Sequence, residues 1–209
     1  MEISITLALI IVTCLISWQA FNNPDMQYKL LHYPYIEARN KDYYRWLTAC
    51  FVHGNWVHLA INMFVFHGFG EYVEGQFVEL FGEVMGRLNF VLLYLLTGVC
   101  ANVPTFLRHR DNQMFRSVGA SGAVSGILFV FILFEPWARL GLFFVIPVRA
   151  ILAAVLFLVY SSYASRKSND MIDHEAHFYG AVFGLLFAIA LKPSLLPDFF
   201  TELVEGWPY

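Results

Sequence analysis

The segment from Ser117 to Gly126 reads SVGASGAVSG and opens an apolar run that continues to Phe134. A serine within an apolar helix ordinarily bonds back to its own backbone and is structural. Around Ser121, however, Gly119, Ala120, Gly122, Ala123 and Gly126 strip away side-chain bulk. A second helix and a substrate carbonyl can then approach the hydroxyl, which is how an intramembrane nucleophile would be presented. Such a nucleophile needs a base within about 2.6–3.2 Å. His177, in AHFYGAVFG, is followed by Gly180 and Gly184 on nearly the same helical face. With Gly122 and Gly126, this gives each of two helices a small-xxx-small pair, so their backbones can meet. Read alone, His177 is better explained as a packing histidine bonded to a backbone carbonyl; beside GASG, the Ser-His pairing is the better account. His58 and Asn62, spaced i, i+4 in VHLAIN, share a face and both carry donors. Donors converging on a developing oxyanion are usually the largest electrostatic contribution to acyl transfer. The same two residues could instead tie helices together. Arg45 and His53, around the segment Tyr44 to Thr48, read as scaffold that satisfies backbone carbonyls of an irregular loop.

The medium that holds these residues is lipid. The chain is 58% hydrophobic and 14% charged, with 21 Phe and 11 Tyr, whereas a soluble domain carries about 25% charged residues. A polytopic, all-α membrane protein follows, a single domain over 1–209 with room for about six spans of roughly 20 residues. Spans are expected near residues 3–21, 54–72, 88–107, 119–135, 147–164 and 176–192. The first is read as retained, because Met1-Glu2 offers no positive n-region and Ser17 to Ala20 is not a small-x-small cleavage site. Asn22 to His53 mixes many tyrosines with prolines and cations, chemistry suited to the headgroup region. Pro136 and Pro147 bracket the connection between the fourth and fifth spans, and Arg166 to Glu175 is a polar loop before the sixth. A net charge of −3 without a basic run gives no reason to propose nucleic acid. Cys14, Cys50 and Cys100 are widely spaced and lack a CxxC pair, so neither a disulfide framework nor a zinc site is expected.

Taken together, RWLT, FVH, HLAIN, GEYVE, GASG and AHxxGxxxG stand in the order and spacing of the rhomboid intramembrane serine proteases, and the chain most resembles their minimal six-span bacterial form. The resemblance runs from about Tyr43 to Leu191. It implies a six-helix bundle with a half-inserted first loop over Asn22 to His53. It also implies Ser121 as nucleophile, His177 as general base, and an oxyanion hole of His58, Asn62 and the Ser121 backbone amide. Glu74 would belong to a structural network at the far end of the second span, and Arg166 to Glu175 would cap the site. No cofactor and no metal are implied. The expected partners are transmembrane protein substrates, entering sideways and cut after a small residue in a helix that unwinds locally, together with the surrounding lipids. The implied location is multi-pass in a bacterial inner membrane. A relative that had lost proteolysis would instead bind membrane clients as a chaperone, a role needing the fold without the dyad.

Other protease chemistries fit poorly. His174-Glu175-Ala176-His177 is one residue short of HExxH, so its histidines miss the zincin geometry. The six aspartates, Asp25, Asp42, Asp111, Asp170, Asp173 and Asp198, fall outside the expected spans, leaving no intramembrane aspartyl dyad. Two features depart from the resemblance. Rhomboids often carry an aromatic residue four positions after the nucleophile, stacked on the histidine, where this chain has Ser125. His177 must then be held by an aromatic from another span or by the Ser125 hydroxyl. The second is orientation. Family topology puts the N-terminus in the cytoplasm and the site outside, yet Lys29, Arg39, Lys41, Arg45, Arg108, Arg110, Arg116, Arg166 and Lys167 would then lie outside, against Arg87, Arg139, Arg149 and Lys192 inside. A plain positive-inside count inverts this. The family orientation is preferred because several of those cations belong to a loop embedded in the headgroups.

Overall fold

The computed structural model describes residues 3–142, 146–167 and 172–207. In chain order its elements are α1 (Ile5–Phe21), α2 (Pro24–Leu30), α3 (Pro34–Asn40), α4 (Arg45–Thr48) running into a 3-10 turn (Ala49–Phe51), α5 (Trp56–Phe81) and α6 (Glu83–His109). There follow α7 (Ser121–Phe134), the hairpin β1 (Arg139–Leu142) and β2 (Ile146–Arg149), α8 (Ala150–Lys167), α9 (His174–Leu191) and α10 (Leu195–Glu205). The six expected stretches each hold one helix of 14 residues or more, with shifted ends. α5 continues to Phe81 because a single residue, Gly82 at φ 78°, makes the whole corner into α6.

Among the described residues, length and composition mark fewer spans than six. Of these, α6 and α9 are by themselves long and apolar enough to cross a bilayer, and α4 with its 3-10 turn, joined to α5 across a 93° bend, makes a third if the bent pair is one span. α1, α7 and α8 are shorter apolar helices. The 14 residues of α7 reach about 21 Å at the α-helical rise, against a hydrocarbon thickness of about 30 Å.

α1 is built inside out by the standards of a soluble protein. Its buried residues are Thr6, Thr13, Ser17 and Ala20, while Leu7, Ile11, Leu15 and Trp18 are exposed. Small and weakly polar residues facing inward, with apolar ones outward, is what lipid selects, because helices there associate by close packing rather than by burying oil. Glu74 of α5 holds the start of this helix. Its carboxylate accepts from the Ile5 amide at 2.9 Å and from the Thr6 amide and hydroxyl at 2.8 Å. Those amides have no carbonyl within the helix to reach, so a distant carboxylate does the capping. The network expected at Glu74 is present.

α7 is the centre of the molecule. It packs against α9, α6 and α5, and nearly every residue from Gly122 to Leu133 is buried, as a helix apolar on all sides requires. Phe66, Val73, Phe77, Phe90, Leu93, Tyr94, Ile127 and Val130 form the principal core around it. α8 lies at the rim against α9, with Leu152, Val155, Leu156, Val159, Tyr160 and Tyr163 exposed.

The segment before α5 is more ordered than an aromatic belt. Pro24 and Pro34 each open a short helix, where the missing N–H costs nothing. Buried Glu37 gathers His32 Nδ1 at 2.8 Å, the Tyr33 amide at 2.7 Å and Trp46 Nε1 at 2.9 Å. Arg45, only 4% exposed, donates to the carbonyls of Tyr28 and Leu31, as the sequence suggests. His53 does something else, described below. α10 and the β hairpin have no counterpart in the sequence reading. α10 buries Leu195 and exposes Leu196, Phe200 and Val204; Trp137 donates to the Glu202 carbonyl at 3.1 Å.

Candidate active site

Ser121 is the first residue of α7, so its backbone N–H and those that follow point out of the helix end with no intrahelical acceptor. The turn that delivers it is pinned on both sides. Ser117 and His32 exchange two backbone hydrogen bonds at 3.0 Å, and the Gly119 amide donates to the Ala49 carbonyl at 3.0 Å. Next, the Ala120 amide donates to His53 Nε2 at 3.3 Å. Because that ring nitrogen accepts, the imidazole proton belongs on Nδ1, which stands 2.9 Å from Ser17 Oγ; Ser17 donates on to the Phe51 carbonyl at 2.8 Å. His53 therefore braces the turn before Ser121 rather than satisfying a loop carbonyl, which corrects the sequence reading. The missed signal is that an amide, not a carbonyl, was left without a partner.

Gly119 has φ 122°, a region that side chains rarely enter, and a Cβ there would stand 2.8–2.9 Å from His58 Cε1 and Nε2. The Cε1–Nε2 side of the half-buried His58 ring thus lies against the backbone two residues before Ser121. Asn62 is buried at 6% exposure and donates through Nδ2 to the His58 carbonyl at 2.9 Å. Its amide group is one turn below His58 on the same face.

His177 sits in the first turn of α9. Its neighbours in sequence touch those of Ser121: a Cβ at Gly122 would be 3.4 Å from the Ala176 carbonyl, and one at Gly180 would run into the Gly122 carbonyl. One turn on, a Cβ at Gly184 would stand 2.6 Å from Gly126 Cα. The two helices are in backbone contact along the glycine faces expected from sequence, which carries the starts of both toward one place. Ser121, Gly122, Asp173 and Ala176 line a small cavity there together with Asn102 and Cys50. Phe157 of α8 lies over His177, ring centroids 6.0 Å apart and planes at 28°. His174 meets it edge-on at 5.9 Å and 87°.

Two groups at the site have no role of their own in the sequence reading. Asp173 caps α9, accepting from the Ala176 amide at 2.9 Å and the Thr105 hydroxyl at 3.0 Å. Its place three residues before a helical amide is a readable capping signal. Phe157 carries none, being one apolar residue among many. Ser125, where a stacking aromatic was expected, donates to the Ser121 carbonyl at 2.7 Å. Of the loop Arg166 to Glu175 read as a cap, residues 168–171 lie outside the described residues. The three cysteines are free thiols.

Comparison with known proteins places this geometry in context. The model of the rhomboid domain matches residues 40–194. Rhomboid-like protein 11, chloroplastic, of Arabidopsis thaliana is 34% identical over 170 residues, covering 75% of this chain and 56% of that protein. The putative rhomboid protease YdcA of Bacillus subtilis is 26% identical over 151 residues, 72% of this chain and 68% of that protein. The human presenilin-associated rhomboid-like protein, mitochondrial, is 27% identical over 143 residues, 66% of this chain and 35% of that protein. The chain thus spans between about a third and two thirds of the length of these relatives.

Proposed function

This chain belongs to the rhomboid family, whose members are integral to membranes, and from that premise we propose that it is an intramembrane serine endopeptidase working through a Ser121–His177 dyad. The whole chain acts as one six-span domain in this reading, and its substrates are transmembrane segments reaching the site from the bilayer. Ser121 Oγ attacks the peptide carbonyl while the His177 imidazole takes its proton. The oxyanion that develops is met by the Ser121 amide at the positive end of α7, by the His58 ring and, after it turns from its own helix carbonyl, by Asn62 Nδ2. His177 then returns the proton to the leaving amine, and water hydrolyses the acyl-enzyme.

The observation that carries the reading is the backbone contact of Gly122 and Gly126 with Gly180 and Gly184. Helices this close leave no room for side chains between them, and the two residues with acyl-transfer chemistry stand at the mouth of that contact. The shortness of α7 adds support, because a helix of about 21 Å starts its nucleophile below one membrane surface. A bacterial inner membrane is the proposed location, with the site on its outer side.

The test is cleavage of a transmembrane reporter in proteoliposomes, paired with labelling by a fluorophosphonate or isocoumarin probe. Wild-type protein is expected to cleave and to label at Ser121. Ser121→Ala and His177→Ala should each lose essentially all turnover while remaining folded, because members of a dyad act as a unit. Appreciable turnover in either variant would sink the assignment. A wild-type protein that neither labels nor cleaves, yet retains reporter helices on pull-down, would point to a client-binding role.

A further inference from the structure

We propose that Phe157 of α8 is the residue that fixes the plane of the His177 imidazole, a positioning role that the sequence leaves vacant at Ser125. The inference rests on the protease reading and extends it to the group holding the base. Ser125 cannot serve, because its hydroxyl is turned onto its own helix, donating to the Ser121 carbonyl at 2.7 Å, and it is 6% exposed. Phe157 stands where the task can be done. Its ring and the imidazole are 6.0 Å apart with planes at 28°, within the offset-stacked range that aromatic pairs favour.

Phe157 is itself held. Phe129 of α7, 3% exposed, packs against it at 5.6 Å and 53°, so the ring is wedged between the nucleophile's helix and the base. A second contact from α8 reaches the imidazole indirectly. Tyr160, one turn after Phe157, stands perpendicular to His174 at 5.4 Å and 89°, and His174 stands perpendicular to His177 at 5.9 Å and 87°. His174 is itself buried, 4% exposed. The imidazole therefore stacks on Phe157 and stands perpendicular to His174, and turning about its χ2 would break both arrangements. A base free to turn spends less time aimed at the nucleophile, which lowers the rate of proton transfer without altering substrate binding.

The experiment measures kcat and KM for Phe157→Leu, Phe157→Met and Phe157→Tyr in proteoliposomes, with Ser121→Ala and His177→Ala as dead controls. Leu and Met should lower kcat about threefold to tenfold at unchanged KM, and Tyr should keep wild-type kcat, since only a ring can stack. The rate of fluorophosphonate labelling should fall in parallel. A second measurement is independent of turnover. In micelles with ring-labelled histidine, the His177 Hε1 resonance, assigned with His177→Gln, should leave its ring-current-shifted position in Phe157→Leu and stay put in Phe157→Tyr. Wild-type kcat in both Leu and Met, equal losses in Leu and Tyr, a loss confined to KM, or an unmoved His177 resonance would each overturn the proposal while leaving the dyad intact. An inactive wild-type protein would remove the reading beneath it.

Discussion

At Ser125 a hydroxyl occupies a position one turn below the nucleophile and spends its proton on the Ser121 carbonyl. Such i to i−4 bonding is a side chain satisfying itself, so Ser125→Ala should cost less than tenfold in cleavage rate. A Ser125→Ala enzyme as dead as Ser121→Ala would reopen which serine attacks. Asn62 is in a similar state at rest, donating to the His58 carbonyl, but it faces the same side as a ring lying against Gly119. His58→Ala and Asn62→Ala should each lower kcat by up to about 10²–10³ and leave measurable turnover, because one oxyanion donor is worth about that much and the others remain. Wild-type rates in both variants would make them structural. These residues were legible because polar side chains inside apolar helices stand out against their background. Phe157 was not, since one ring among 21 Phe is no signal until helix packing selects it. His53 was half legible. Its scaffold role was readable, but its partner, the Ala120 amide, is 67 residues away in the chain.

Between helices, the α7–α9 contact sets the tightest tolerances. A Cβ at Gly180 meets the carbonyl oxygen, carbonyl carbon and Cα of Gly122, all backbone, and one at Gly184 meets the backbone of Gly126. Neither helix can yield by moving a flexible side chain. Gly180→Ala and Gly184→Ala should therefore each cost about 10²-fold in turnover, the loss that accompanies roughly 1 Å of misplacement, and Leu should abolish it. A Gly184→Leu enzyme of normal rate would mean that this face does not hold the helices together. His53→Ala tests the other brace. It leaves the buried Ala120 amide without its acceptor, so thermal unfolding in detergent should show about 1–3 kcal/mol of lost stability; an unchanged melting temperature would argue against the brace. The long helices could be read because lipid demands uninterrupted backbone hydrogen bonding over apolar stretches. α2 and α3 could not, because they are seven residues each and are held by tertiary bonds such as those of Glu37 and Arg45 rather than by periodicity. The β hairpin and α10 were hidden for a related reason. The hairpin lies in a connection and α10 follows the last expected span, and each is too short or too polar to register as a span.

For the molecule as a whole, the open question is which end faces the cytoplasm, and the structure changes how its charges should be counted. The positive-inside rule concerns cations free in short flanking loops. Arg45 is buried and bonded to two carbonyls. Arg39 lies 3.6 Å over the Tyr35 ring and donates to the carbonyls of Tyr35 and Arg110, while Arg116 lies 4.5 Å over Tyr33. Arg108 is 3.6 Å from Glu175. These four cations are built into the scaffold around the site, but on the other side Arg87 pairs with Glu83 at 2.6 Å and Arg149 donates to the Trp137 carbonyl at 2.8 Å, so discounting held cations on both sides leaves the charge count still favouring the inverted orientation. Single cysteines at Asp111, whose side chain is 82% exposed, and at exposed Gly141 in the hairpin separate the two orientations. With Cys14, Cys50 and Cys100 replaced, an impermeant maleimide applied to intact cells should modify position 111, and should reach position 141 only after permeabilisation. The opposite pattern would show that the charge count is right. It would also turn the Ser121 cavity toward the cytoplasm, and substrates would then have to be cut from that side.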